Sequence, residues 1–233
     1  MRRYAHLGTG NYNERTARQY TDVGLMTADR ELTEDVARFF EALEARKESE
    51  ALRVLTASPD GMRAELLRLI RREASHAAMG RPCGMTLKLN ALTDKALIAA
   101  LQEAGKGGVP VRLIVRVACR LQPEEGGHVT VRSLVGRFLE HGRVFHFVNG
   151  GEEEVYISSA DWMPRSLDGR VELMLPIRDR DAAEKLKHYL EGQLEDTALA
   201  WNLTVDDYTA ARCCAERLVD SQAQCLRERM RPE

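Results

Sequence analysis

The sequence predicts a layered α/β protein, and three observations carry that prediction. Strand-like and helix-like segments alternate along most of the chain. A set of residues recurs, without a gap, at an offset of 150 positions. The composition, 44% hydrophobic and 30% charged, is that of a globular chain and not of a disordered one. With 233 residues the chain can hold one large domain or two small ones around a real core.

The segments follow in order. Tyr4 to Leu7 reads as the end of a strand, and Gly8-Thr9-Gly10-Asn11-Tyr12-Asn13 as a turn. Tyr20 to Thr27 reads as one strand. Thr33 is placed to cap a helix to about Glu44, with Val36, Phe39, Phe40 and Leu43 on one face. Residues 45–50 are charged and aperiodic, which suggests a domain boundary. Leu52 to Ala57 is a strand stopped by Ser58-Pro59, and residues 60–79 form an amphipathic helix. Met85 to Leu89 is a strand, and Thr93 caps a helix to about Ala104. Pro110 precedes the apolar strand Val111–Val117, and a loop with Pro123 and Gly126-Gly127 follows. Arg143–Val148 and Val155–Ser159 read as a hairpin about Asn149-Gly150-Gly151. Val171–Ile177 is a strand, Asp179 starts a helix to about Leu194, and residues 206–229 read as a polar, helical tail.

The duplication is specific. Gly8-Thr9-Gly10-Asn11-Tyr12 parallels Ser158-Ser159-Ala160-Asp161-Trp162: small, hydroxyl, small, Asn or Asp, aromatic. Arg15 parallels Arg165, Asp22 parallels Glu172, Asp29 parallels Asp179, and Phe39 parallels Tyr189. His141-Gly142-Arg143 begins 17 residues before Ser158, so its counterpart would fall at about −9, before Met1. The chain is therefore expected to be a fragment, or a shortened relative, of a longer two-half protein.

Composition narrows the function classes. No apolar run approaches the ~20 residues that span a bilayer, and Met1-Arg2-Arg3-Tyr4 opens no signal region, so a cytoplasmic location is expected. Five cysteines without a CxxC pair argue against a disulfide framework and a zinc site. The net charge is −2, but Lys106 to Asn149 holds seven basic and three acidic residues, and this stretch could face a polyanion.

His141 and Arg143 stand two apart at a predicted strand start, so their side chains share a face. Imidazole titrates near neutral pH and serves as nucleophile or proton donor. The arginine fork matches phosphate oxygens. The Ser158-Ser159-Ala160-Asp161 turn offers hydroxyls, N–H groups and an acid able to orient a histidine. His146 has the opposite parity, and His6, His76, His128 and His188 carry no comparable context; none is assigned a role.

His-x-Lys/Arg on a strand, followed by a small-residue Asn/Asp turn, resembles the phospholipase D-like superfamily of two-half phosphotransfer enzymes. The match narrows with Tyr4-Ala-His-Leu-Gly-Thr-Gly-Asn-Tyr-Asn-Glu-Arg-Thr-Ala-Arg18, Tyr20-Thr-Asp22, Thr86-Leu-Lys-Leu-Asn90, Gly108-Val-Pro-Val111 and Phe138-Leu-Glu-His-Gly-Arg143. The run Val155-Tyr-Ile-Ser-Ser-Ala-Asp-Trp-Met-Pro-Arg165 is the most specific. Together these resemble the long, histidine-phosphorylated polyphosphate kinases, over residues 1 to about 200 and roughly the last third of such an enzyme. The fold implied is a phospholipase D-like layered sheet flanked by helices, with a partial second copy of the half-unit at the N-terminus. The domains implied are a first-domain remnant at 1–48, a second catalytic domain at 49–200 and a helical tail at 201–233.

The resemblance implies reversible transfer of the ATP terminal phosphate to polyphosphate through a phosphohistidine. Tyr20, Arg116 and His141 match positions that contact ATP, and His141 would be the assisting histidine. Thr9, Asn11, Lys88, Arg143, Ser158, Ser159, Asp161 and Arg165 are phosphate-contacting candidates. The phosphorylated histidine and the residues linked to Mg2+ lie upstream in the family. No metal ligand is therefore expected in this chain, and alone it is expected to be inactive. ATP, ADP and polyphosphate are the implied partners, and nucleic acid is not. Self-association and peripheral membrane contact are implied for the full-length enzyme. A non-catalytic nucleotide- or polyphosphate-binding or oligomerisation module remains the alternative. A phospholipase D-like hydrolase or nuclease is disfavoured by Arg143 in place of Lys and Asp161 in place of Asn.

Overall fold

A computed structural model of the chain describes residues 2–45 and 52–229. Its elements, in chain order, are β1 (Ala5–Gly8), α1 (Glu14–Ala17), β2 (Tyr20–Thr21), β3 (Gly24–Thr27), α2 (Arg30–Ala45), β4 (Thr56–Ser58), α3 (Met62–Ala78), β5 (Met85–Leu92), α4 (Lys95–Lys106), β6 (Val111–Cys119), β7 (Val129–Leu134), β8 (Leu139–Glu140), β9 (Val144–Phe147), β10 (Glu154–Ser158), α5 (Pro164–Gly169), β11 (Glu172–Pro176), α6 (Arg180–Leu194), β12 (Ala200–Leu203), β13 (Tyr208–Ala210) and α7 (Ser221–Arg229). Nine strands make one mixed sheet in the order β13-β12-β7-β6-β5-β9-β10-β11-β4. Two small sheets, β1-β3 and β2-β8, stand beside it.

Strand β5 explains the layering. All eight of its residues are buried, as expected of a strand covered on both faces. Met85, Leu87 and Leu89 join Leu66, Leu69 and Ile70 of α3 and Leu97 and Leu101 of α4 in one core cluster. Ile114, Val144, Val155 and Ile157 pack with Leu190 of α6 and Leu32 of α2 in a second. The result is the expected α/β class, a sheet between helices. Among the described residues no helix is long and apolar enough to cross a membrane.

The duplication is visible in the backbone. In β1-β3, Gly8 faces Gly24 and Leu7 faces Leu25. In β10-β11, Ser158 faces Met174 and Ile157 faces Leu175, which is the same register displaced by 150. Thr9 N donates to Val23 O and Ser159 N to Leu173 O. Val23 N donates to Thr9 Oγ1 and Leu173 N to Ser159 Oγ. The helices begin alike: Asp29 Oδ1 accepts from Leu32 N, and Asp179 Oδ1 from Ala182 N.

Several expectations need correction. The 206–229 segment is not one helical tail: β13 joins β12 at the edge of the sheet beyond β7, Ala211–Cys214 is a short 3-10 turn, and only Ser221–Arg229 is α-helical. Pairing decides this, because Ala200 to Leu203 lie in register with Leu134 to Val131 and Asn202 Oδ1 accepts from Arg132 Nη2. Tertiary ladders of this kind override local propensity. The loop after Val117 contains β7, whose alternate residues Val129, Val131 and Ser133 are buried. Tyr20–Thr27 is two short strands, not one. Helix α2 is capped by Asp29 and α4 by Asp94, rather than by Thr33 and Thr93. A carboxylate reaches N2 and N3 amides and also favours the helix dipole. The boundary placed at 45–50 lies, beyond Ala45, outside the described residues.

Candidate active site

His141 does not start a strand. It lies in the short link between β8 and β9, at the seam where β8 pairs in parallel with β2. His141 N donates to Thr21 O, which sets it beside Asp22. Its Nδ1–H donates to Asp22 Oδ1 at 2.8 Å, and Thr9 Oγ1 donates to the same oxygen at 2.7 Å. Tyr20 leans on the imidazole with ring centroids 4.9 Å apart. With Nδ1 protonated, Nε2 carries the lone pair, and Arg143 Nη1 stands 3.2 Å from it. This is the arrangement in which an acid fixes the tautomer and leaves the other nitrogen for chemistry.

Arg143 is buried and over-determined. It donates to Asp161 through Nε at 3.2 Å and Nη2 at 2.9 Å, a bidentate pair. Its Nη1 also donates to Thr9 O and His141 O. Asp161 Oδ1 accepts from Asn90 N and Ala91 N. Burial works to raise the Asp161 pKa, but the Arg143 guanidinium and these amides outweigh it and hold the carboxyl below its ordinary value. Asp161 therefore positions Arg143, not His141.

Arg116 on β6 donates to Asn90 Oδ1 at 3.1 Å. Among the described residues it is the one cation of this cluster without a carboxylate in ion-pair range, whereas Arg143 has Asp161 and Lys88 has Glu140. Burial depresses its pKa. Lys88, 1% exposed, bonds Glu140 at 3.1 Å behind the histidine. Burial acts to raise Glu140, and Lys88, Gln222 and Gln193 override it, lowering its pKa to about 2.

The cluster thus gathers Thr9, Tyr20, Lys88, Arg116, His141, Arg143 and Asp161. The Ser158 hydroxyl is spent in its own turn, donating to Leu173 O and accepting from Ala160 N. Ser159 Oγ donates to Glu172 Oε2 at 2.5 Å. Asn11 and Arg165 are exposed and, among the described residues, make none of the bonds that hold the cluster. His146 is buried on β9 beside Glu153, away from His141.

Comparisons with known proteins agree with this frame. Residues 55–224 match the family described as polyphosphate kinase C-terminal domain 2, and residues 1–49 match polyphosphate kinase C-terminal domain 1. The chain belongs to the polyphosphate kinase family. It is 44% identical to a polyphosphate kinase of Pseudomonas aeruginosa over 209 residues, covering 88% of this chain and 30% of that protein. A Burkholderia cenocepacia polyphosphate kinase is 44% identical over 230 residues, covering 97% and 34%. The crystal structure of a polyphosphate kinase from Porphyromonas gingivalis superposes with a TM-score of 0.92 at 37% identity, covering 97% of this chain and 36% of that one. The chain therefore spans about a third of the length of the relatives it matches.

Sequence reasoning passed over Asp22, Asn90 and Glu140 as site residues of this polyphosphate kinase chain. The signal for Asp22 was present: an acid recurs at the same place in both copies, as Asp22 and Glu172. The glycine of the turn follows from it. A Cβ at Gly10 would lie 2.2 Å from Asp22 Oδ2, so the short acid requires a glycine there, while the second copy combines Ala160 with the longer Glu172. Glu140 gave no such signal, since a Glu beside a His reads as an ordinary surface pair until burial is known.

Proposed function

We propose that this chain is the C-terminal catalytic part of a polyphosphate kinase, in which His141 is the assisting histidine of reversible phosphate transfer from ATP to polyphosphate. The observation that carries the reading is the shared construction of the dyad. Asp22 of the first copy holds His141 of the second at 2.8 Å. By the offset of 150, Glu172 of the second copy is left to hold a histidine of the first. Glu172 accepts from Ser159 as Asp22 accepts from Thr9. The chain contains no other His-x-Lys/Arg to meet it, so the phosphorylated histidine comes from sequence that the relatives carry beyond the matched stretch.

In this reading the upstream imidazole nitrogen attacks the γ-phosphorus. The N–P bond forms as the bond from phosphorus to the ADP oxygen breaks. The terminal oxygen of polyphosphate then attacks phosphorus and the N–P bond breaks. His141 enters the step as an imidazolium held by Asp22, gives its Nε2 proton to the leaving oxygen and is left as the neutral Nδ1–H tautomer, whose Nε2 takes a proton back in reverse. Arg116, with no carboxylate in ion-pair range among the described residues, and Tyr20, tilted against the His141 ring, face ATP. Arg143 and the Thr9 turn shape the phosphate seat, with Ser159, Asn11 and Arg165 at its margin. A phosphoramidate keeps the transfer potential of an anhydride, which allows both directions. The setting is the cytoplasm, where ATP is abundant. Magnesium is implied by the resemblance, but among the described residues no group of three His, Cys, Asp or Glu side chains is placed to hold an ion.

Two measurements test this. The 233-residue chain incubated with ATP and magnesium should form no polyphosphate, and robust synthesis would overturn the placement of the nucleophile outside it. In a chain that includes the upstream half, His141→Ala should lower turnover by about 10²–10³, the usual cost of a lost transition-state donor. A near-normal rate would remove His141 from the mechanism.

A further inference from the structure

Directly behind the His141–Asp22 dyad lies a second, fully internal set of polar groups. Glu140 is its centre, 2% exposed. Its Oε2 accepts from Lys88 Nζ at 3.1 Å, Thr21 Oγ1 at 2.9 Å, Tyr189 OH at 3.0 Å and Gln193 Nε2 at 2.7 Å. Its Oε1 accepts from Gln222 Nε2 at 2.7 Å. One carboxylate thus gathers donors from β5, β2, α6 and α7. Glu140 and Thr21 are also paired across the β2-β8 seam. The residues that follow the two strands are Asp22 and His141.

Gln222 ties this carboxylate to the C-terminal helix more firmly than one bond would. Its Nε2 also donates to Phe138 O, and its Oε1 accepts from Phe138 N. Helix α7 is itself anchored, because Ser221 N and Oγ both donate to Asp196 Oδ2. Burying a carboxylate and an ammonium is costly unless every lone pair and proton is matched. Hydrophobic residues of similar size would serve packing at least as well. A carboxylate one residue behind the dyad, bonded across the seam to Thr21 and paired with Lys88 of β5, instead fixes direction and register.

We infer that Glu140, braced by Lys88 and by Gln222 of α7, is a positioning residue that sets the His141–Asp22 hydrogen bond, and that the C-terminal segment is therefore part of the site's support. The inference rests on the reading of His141 as a site histidine, but its test uses no phosphate transfer. Asp22 can hold Nδ1–H only while β2 and β8 keep their register. Loosening Glu140 shifts His141 by a fraction of an ångström, and a hydrogen bond of 2.8 Å weakens steeply with misalignment.

The test is the imidazole nitrogen spectrum of His141 in the 233-residue chain, read by long-range 1H–15N correlation. The unaltered chain should show one neutral tautomer, protonated at Nδ1. Gln222→Leu, and the charge-compensated pair Glu140→Gln with Lys88→Met, should retain a cooperative thermal transition. In both, the ratio of the Nδ1–H to the Nε2–H tautomer should fall about five-fold, the response to losing roughly 1 kcal/mol of bias. An unchanged His141 spectrum in either folded variant, even with a lowered melting temperature, would overturn the inference, because a merely structural network moves stability and not the tautomer. Should the double variant fail to fold, Gln222→Leu alone decides. A chain that proves to have no part in polyphosphate synthesis can still pass or fail this measurement, so the two readings fail separately.

Discussion

The two copies of the half-unit differ in burial, not in local geometry. Their hairpins share one register, their turns share one set of hydrogen bonds, and their helices share one cap. Yet Phe40 and Leu43 on α2 are 63% and 43% exposed, while their counterparts on α6, Leu190 and Gln193, are 1% and 2% exposed. The cause is what flanks each hairpin. Behind α6 stand β9, β5 and the rest of a nine-stranded sheet, whereas β1-β3 is a two-stranded sheet. A stretch of about 40 residues can encode turn, cap and register, but it cannot supply the surface that its helix covers.

The largest expected effect follows from this contrast. Leu190→Ala should destabilise the chain by about 2–5 kcal/mol, the range for a fully buried leucine. Phe40→Ala should cost less than about 1 kcal/mol, as for a substitution at an exposed site. Urea unfolding of the two variants measures both. Similar losses in the two would mean that α2 is buried in solution and that the copies do not differ as described.

The second effect is chemical. Where α6 places Tyr189 and Gln193 toward Glu140, α2 has Phe39 and Leu43. At these two positions α6 therefore donates to a buried acid, and α2 has no donor at either. The folded pKa of Glu140 is lowered from 4.5 to about 2. A carboxyl depressed on folding adds stability above its unfolded pKa and loses it as pH falls toward the folded value. Stability should decline between about pH 4.5 and pH 2. At about 1.4 kcal/mol per unit, up to roughly 3 kcal/mol is at stake. The Glu140→Gln, Lys88→Met pair should flatten that acid limb in thermal melts from pH 5 to pH 2. An unchanged slope would assign the acid sensitivity to other carboxylates.

How much of this was legible in the sequence follows the same division. Features set by neighbours in the chain were readable: the hairpin about Asn149-Gly150-Gly151, the start of α6 at Asp179, the apolar β6, and the offset that proved to be a shared register. Features set by distant partners were not. β12 is a strand because β7 is beside it, and β13 because β12 is. His141 is held by Asp22 and not by Asp161, a choice made by the β2-β8 pairing over more than a hundred residues. Glu140 became central only through burial under residues from four elements. The candidate site was legible as a list of residue types, and its wiring was not.

The smallest expected effect tests the local sameness on which the comparison rests. Asp29 caps α2 through Leu32 N at 2.9 Å, and Asp179 caps α6 through Ala182 N at 2.8 Å. Replacing an N-cap acid by alanine removes one side-chain acceptor and one charge near the positive helix end, costing about 1 kcal/mol. If the caps are true copies, Asp29→Ala and Asp179→Ala should each weaken their own helix by that same amount. Amide hydrogen exchange in the first turns of α2 and α6 resolves the two locally, which a global melt would not. Equal loss of protection would show that cap strength is a property of the repeated motif. A markedly smaller loss at Asp29 would show that the half-exposed α2 already frays at its start, so that even the local copy depends on the surface its helix covers.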